Sequence, residues 1–222
     1  MLILINFKNY PEAFGEKGLK LAKICEKVAK KYGIKIAVAP HILDLKRICS
    51  AVKIPVFAQH VDAKEGEKNT GSILPENLKR IGAKGSLLNH SEKRIEMKEI
   101  EKAIKLLKKN KLISVCCARN LEEAKEIAKF SPDFLAYEEP SLIASGKAIS
   151  KVEPEKVRNF VKMLLRINPK IIPLCGAGIS SAEDVKLALE LGTKGVIIAS
   201  AVVKAKNPEY LLSEIAKVVK YS

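Results

Sequence analysis

Residues 133–146 read DFLAYEEPSLIASG: an apolar stretch of strand type, 134–137, runs into two adjacent carboxylates and then into a loop of small residues. A carboxylate at the carboxyl end of an apolar strand, with such a loop after it, is placed for catalysis beneath a lid. Ends of this kind converge on one bound molecule where many parallel strands open on a single face, as in an α/β barrel. The remainder of the chain has to supply those strands.

Short apolar runs recur at 2–7, 34–39, 55–60, 85–88, 112–116, 134–137, 171–174 and 195–198. Between them lie segments of helical period. In 15–31 the apolar positions Leu19, Ala22, Ile24 and Ala29 are separated by lysines, and Gly33 ends the run. Pro40 and His41 open a second helix carrying Ile42, Leu45, Ile48 and Cys49. Further helices are expected at 76–81, 95–107, 121–130, 154–167, 182–191 and 208–219; the one at 154–167 has Pro154 early, where a missing N–H does no harm. Strands that are apolar on both faces belong to parallel sheets, and parallel pairing requires a crossover that helices provide. Eight such units without a domain-sized break in composition predict one domain over 1–222, a closed (β/α)8 TIM barrel. An open doubly wound sheet is the alternative. No Gly-x-Gly-x-x-Gly follows the first strand, so a dinucleotide site lacks its usual support.

Composition narrows the class further. Of 222 residues, 47% are apolar, ample for a sizeable core, and no apolar run approaches the roughly 20 residues of a membrane span. The start, MLILINFKNY, has no basic segment before its apolar run and reads as a first strand, which predicts a cytoplasmic protein with no membrane partner. Five cysteines, Cys25, Cys49, Cys116, Cys117 and Cys175, lack metal-ligand spacing and read as reduced, mostly buried thiols. The net charge of +15 invites a nucleic-acid reading. The lysines, however, are interleaved with glutamates, as in EMKEIEKAIKLLKKN, which is the pattern of solvated helix faces; no nucleic-acid partner is expected.

If the chain is a barrel, its chemistry lies where strands end. Asn6 and Lys8 share a side of the first strand, an amide and a cation able to face one anionic ligand. The fourth strand ends in Asn89 and His90, followed by Ser91 as a helix cap and Glu92 as an early helical residue. That pattern puts His90 at a helix start, where the dipole disfavours a ring proton. On the sixth strand, alternation lets only one of Glu138 and Glu139 face the interior, and periodicity does not say which. CGAGIS, 175–180, and IASA, 198–201, are small-residue turns into helices, the setting in which barrels bind phosphate through main-chain N–H groups. The long polar loop VDAKEGEKNTGSILP, 61–75, is long enough to need a role.

Seven segments together resemble the triosephosphate isomerase family in its short archaeal form: NFK at 6–8, FAQHVD at 57–62, NTG at 69–71, NHSEKR at 89–94, YEEPSLIASG at 137–146, GAGIS at 176–180 and GVIIAS at 195–200. The resemblance implies an aldose–ketose isomerase interconverting dihydroxyacetone phosphate and glyceraldehyde 3-phosphate through an enediolate, with no metal or organic cofactor. It assigns Glu138 as the base, by its spacing of eight residues to Gly146, His90 as the electrophile and Lys8 as the balancing cation. Asn6 and Lys8 would hold substrate. Main-chain N–H groups of Ile143 or Ala144, Gly178, Ala199 and Ser200 would hold the phosphate. Glu92 and Arg94 are implied to be supporting residues, and Cys117 and Gln59 structural ones. Thr70 matches a residue that family dimers insert beside a neighbour's site, and short helices around strands four to six resemble members that form homotetramers. Glu139 departs from the family, which has Pro directly after the base. Another phosphate-binding barrel, such as a Schiff-base aldolase, is the alternative; it would need a lysine where the sixth strand carries glutamate.

Overall fold

The computed structural model describes residues 1–139, 142 and 148–221. Its strands are β1 (Leu2–Asn6), β2 (Lys35–Ala39), β3 (Phe57–Ala58), β4 (Gly85–Leu88), β5 (Ile113–Ala118), β6 (Phe134–Tyr137), β7 (Ile172–Cys175) and β8 (Gly195–Ile198). Between and after them come α1 (Glu16–Tyr32), α2 (Leu45–Ala51), α3 (Pro75–Arg80), α4 (Met97–Lys109), α5 (Leu121–Lys129), α6 (Ile149–Val152), α7 (Pro154–Ile167), α8 (Ala182–Glu190), α9 (Ser200–Val203) and α10 (Pro208–Tyr221).

The strands pair in parallel in the order β2-β1-β8-β7-β6-β5-β4-β3, and a parallel bridge between Val38 and Val56 joins the two outer members. This is the ring of a (β/α)8 barrel and not an open sheet. Alternation along the strands then sorts the apolar residues into two cores. Leu2, Leu4, Ala37, Ala39, Phe57, Leu87, Val115, Cys117, Ala136, Leu174 and Ile197 fill the bore. Their neighbours in sequence, such as Ile3, Ile5, Ile36, Val38, Leu135 and Tyr137, face outward and pack against the helices. Mixing alanines with Phe57 and leucines suits a bore too narrow for eight large side chains at one level. Tight strand approach also dictates Gly195, since a Cβ there would lie 2.0 Å from the Leu2 carbonyl oxygen.

Sequence periodicity places β4, β6, β8 and α7 at their observed limits. It fails at short or irregular pieces. The expected third strand, 55–60, keeps only Phe57–Ala58 in strand geometry, because Pro55 lacks a donor and Gln59 turns its amide onto the Ala39 and Lys8 carbonyls. The helix expected from 95 begins at Met97, where Glu96 and Glu99 form a reciprocal cap. Two four-residue helices, α6 and α9, have too few turns for any period to register. Among the described residues no helix is long and apolar enough to cross a membrane.

Candidate active site at the carboxyl ends of the strands

β6 places the two glutamates on opposite sides of the wall. Ala136 belongs to the bore and Tyr137 to the outer core, so the next residue of Ala136's parity, Glu138, continues inward. Its main-chain N–H donates to Ala118 O at 2.9 Å, which extends the β5–β6 pairing by one step. Glu138 is 3% exposed, and its Oε2 has no hydrogen-bond partner among the described residues. A buried carboxylate oxygen left unpaired is destabilising by roughly 1–3 kcal/mol, so its position asks for a ligand. Glu139 turns outward, where its Oε2 lies 3.4 Å from Lys156 Nζ on α7; Lys156 also reaches Glu153 Oε1 at 2.8 Å. The extra carboxylate after Glu138 is thereby balanced outside the barrel.

His90 reaches the same space by a backbone kink. Asn89 takes a left-handed conformation, φ 57°, which breaks the strand alternation and turns His90 over the bore. Asn is among the few side chains that tolerate this conformation, and here the kink is tied down on every side. Asn89 Nδ2 donates to Cys117 O at 3.0 Å, Ile95 N–H donates to Asn89 Oδ1 at 3.2 Å, and Arg94 donates to Asn89 O at 2.8 Å. The expected helix start at His90 is not what forms: residues 91–93 make a turn, and α4 begins only at Met97. The orientation of the ring therefore comes from a hydrogen bond and not from a helix dipole. Glu92 N–H donates to His90 Nδ1 at 3.2 Å, which leaves a neutral ring's own proton on Nε2. Nε2 lies 3.9 Å from Glu138 Oε2, so the two groups face each other across a gap that one substrate atom could bridge.

From β1, Asn6 Oδ1 accepts the Lys8 N–H at 3.0 Å and stabilises the left-handed Lys8, φ 47°. Lys8 Nζ pairs with Glu92 Oε1 at 2.8 Å, so Glu92 serves both the lysine and the histidine. Asn6, Lys8, Tyr10, His90, Glu138, Ala177, Gly178, Ser180, Ala199, Ser200 and Lys204 surround a cavity of about 270 Å³. A second space of about 460 Å³ shares Asn6, Lys8, Tyr10 and His90 and extends to Gln59, His60, Glu92 and Lys93. Burial first, opposed by Asp62, holds the His60 imidazole below its ordinary value, in keeping with a structural histidine.

The opposite rim is main chain. Gly176 follows β7 directly, and a Cβ there would stand 2.5 Å from Glu138 Cγ and 2.7 Å from its Oε1. The carboxylate occupies the space that only glycine leaves open. Ala177 and Gly178 are both left-handed, φ 61° and 73°, and lead into Ser180. Asp184 of α8 gathers this turn: its Oδ2 accepts from Ser180 N–H, Ser180 Oγ and Ser181 N–H at 2.9, 2.9 and 3.0 Å, while its Oδ1 pairs with Lys151 of α6 at 2.9 Å. Burial pushes the Asp184 carboxyl up, but the Lys151 and Ser180 hydrogen bonds outweigh it and hold the group below its ordinary 3.8. After β8, Ala199 and Ser200 begin α9, whose first N–H groups have no partner within the helix. Ile143 and Ala144 lie outside the described residues. Beneath the site, burial and then the Glu138 carboxylate push the Cys117 thiol well up, which keeps it protonated.

The fold thus brings together Asn6, Lys8, His90, Glu138, Gly178, Ala199 and Ser200 around one cavity. Sequence reasoning missed Gly176, Asp184, Tyr10 and Lys204 there. Gly176 was legible only as part of a Gly-rich turn and Asp184 only as part of the helix at 182–191, because the contacts that give them meaning come from other elements. Among the described residues no group of three or more His, Cys, Asp or Glu is arranged to hold a metal ion.

Comparison with known proteins gives the family. A family model described as triosephosphate isomerase matches residues 1–219. The chain is 50% identical over 214 residues to a triosephosphate isomerase of Methanothermus fervidus, covering 96% of each protein. It is 48% identical over 219 residues to one of Methanocaldococcus jannaschii, covering 99% of this chain and all of the relative. A third, from Methanothermobacter thermautotrophicus, is 44% identical over 218 residues, with 98% and 95% covered.

Gly176→Ala is expected to push the Glu138 carboxyl out of its seat while the barrel still folds. A crystal structure of the variant checks this, and an unmoved carboxylate overturns it. The lowered Asp184 value has a pH consequence: a depressed folded-state value stabilises above the unfolded value, near 3.9, and that stabilisation disappears as pH falls through the folded value. Asp184→Asn should therefore be less stable than wild type at neutral pH in urea unfolding, with the gap closing in acid below about pH 4. A gap independent of pH would refute the assignment.

Proposed function

The chain belongs to the triosephosphate isomerase family, whose reaction interconverts dihydroxyacetone phosphate and glyceraldehyde 3-phosphate through an enediolate, and from that premise we propose how its residues divide the work. The aldolase alternative gains no support from β6, after which a glutamate and not a lysine faces the cavity. The observation that carries the proposal is the unpaired Glu138 Oε2 facing His90 Nε2 at 3.9 Å inside a cavity rimmed by main-chain donors.

Glu138 takes a proton from the carbon next to the carbonyl and returns it to the neighbouring carbon. Its unpaired oxygen needs no hydrogen bond broken before it accepts. His90 Nε2–H donates toward the carbonyl oxygen as negative charge develops there. A neutral imidazole opposite a Glu base is the general pattern of this family; in this chain the tautomer follows from the Glu92 N–H contact to Nδ1. Lys8 and the Asn6 amide balance and hold the enediolate oxygens. Main-chain N–H groups of Gly178, Ala199 and Ser200, joined by those of Ile143 or Ala144, seat the phosphate. Held in that seat, away from bulk water, the intermediate is less prone to lose its phosphate. Residues 1–222 act as one domain, and no cofactor is needed for proton transfer of this kind.

The working form in this reading is a homo-oligomer, a tetramer built from dimers, in the cytoplasm. Surface features support it: Phe14, Ile42 and Leu43 are large apolar side chains left exposed, and Thr70 is exposed on the long loop. All five cysteines are free thiols, in keeping with a reducing compartment.

Glu138→Gln is expected to lower kcat by about a hundredfold or more, in line with removal of a general base, whereas Glu139→Gln should stay near wild type. Turnover of glyceraldehyde 3-phosphate measures both, and a collapse in the Glu139 variant would mean that the outward carboxylate is the base. Sedimentation of the purified protein should give a four-chain particle; a single-chain mass overturns the assembly.

A further inference from the structure

Lys8 is the cation that sequence singles out, but in this reading it faces the enediolate oxygens and shares its ammonium with Glu92. Its ammonium contacts Glu92 Oε1 at 2.8 Å, and Glu92 is half-exposed at the mouth of the second space. A phosphate monoester carries up to two negative charges, and the main-chain donors of Gly178, Ala199 and Ser200 supply partial charges only.

A second lysine stands on that side of the cavity. Lys204 follows α9 directly, and its main-chain N–H donates to Ser200 O at 2.9 Å, so its backbone is fixed by the same short helix that carries Ser200. Its side chain lines the cavity together with Ser200, Gly178 and Ser180 and crosses toward the β1 exit, where Nζ sits 4.5 Å from the centroid of the Tyr10 ring. Among the described residues Lys204 makes no ion pair. The two anchors differ in kind. A carboxylate partner neutralises an ammonium, whereas an aromatic face positions it and leaves its full charge acting on its surroundings. Tyr10 lines both spaces, so the ring stands as a post between the catalytic end and the phosphate end.

We propose that Lys204, posted on the face of Tyr10, is the residue that makes this site select phosphorylated trioses, by supplying the uncompensated positive charge that a phosphate dianion meets beside the main-chain donors. The inference rests on the isomerase reading above and adds a specificity determinant to it. Because the charge acts equally on substrate and on the enediolate phosphate, it contributes uniform binding and shows in KM more than in kcat.

The test is steady-state kinetics with glyceraldehyde 3-phosphate on wild type, Lys204→Gln, Lys204→Arg, Tyr10→Leu, Tyr10→Phe and the exposed neighbour Lys206→Gln as control. Lys204→Gln should raise KM about tenfold, the scale of one charge-assisted contact, with kcat within about twofold of wild type. Arginine should restore most of the loss. Tyr10→Leu should show a smaller KM increase that Tyr10→Phe does not, since phenylalanine keeps the ring face. Inorganic sulfate should inhibit wild type competitively, with an inhibition constant that rises in Lys204→Gln by the same factor as KM. The proposal is overturned if Lys204→Gln leaves KM unchanged, if kcat falls instead, if arginine fails to rescue, or if Lys206→Gln produces the same loss. An inactive wild type would refute the isomerase reading itself, a different result from any of these.

Discussion

Parallel hydrogen bonding closes eight strands of two to six residues into a ring, and that closure is the constraint from which the other features follow. A ring this small has a bore that must be filled from within, so every second residue is committed to a shared interior of alanines, leucines and Phe57. The intervening residues are committed to the helices outside. Each strand must also leave the ring at the same end, so the residues where a strand ends inherit a direction. Asn6 and Glu138 acquire their orientation in this way, without any contact designed for them alone.

Where inherited direction is not enough, the chain departs from strand geometry. Lys8, Asn89 and Ala177 are left-handed without being glycine, and each stands one or two residues beyond its strand. Such conformations are destabilising by about 1–3 kcal/mol apiece and persist only where neighbours hold them. Asn6 holds Lys8, the Cys117 carbonyl and Arg94 hold Asn89, and the Asp184 carboxylate holds the turn that follows Ala177. These three stand at the end of the barrel that holds the unpaired oxygen of Glu138, whereas the left-handed Lys111 and Ser131 precede β5 and β6. Packing in the bore and in the outer core below this rim offsets the destabilisation.

Charge follows a similar division. Many lysines sit on helix faces, several of them paired with glutamates, as Lys105 with Glu101 and Lys217 with Glu214 illustrate. At the cavity the same residue type takes two forms, one ammonium paired with Glu92 and one held by a ring. Glu139 belongs with the first group: an added carboxylate after Glu138 is tolerable because Lys156 stands outside the wall to receive it.

Local sequence by itself determined that this chain alternates strand and helix eight times, that α7 runs from Pro154, and that β6 ends in carboxylates, since two- and 3.6-residue periods and proline act within a few residues. The family's spacing singled out Glu138, which the strand period had left equivalent to Glu139. The direction of each glutamate was a tertiary matter, because inside and outside have no meaning until the ring closes and Ala136 meets the bore. The His90 setting escapes a local reading for the same reason: Ser91 and Glu92 have the composition of a helix start, but the Asn89 kink is fixed by the carbonyl of Cys117 on the next strand and by Arg94, and the helix waits until Met97. Gly176, Asp184 and Lys204 were invisible as site residues for a physical reason. Their roles consist of an approach to Glu138, a bond to Lys151 and a contact with Tyr10, all between segments that only folding brings within reach.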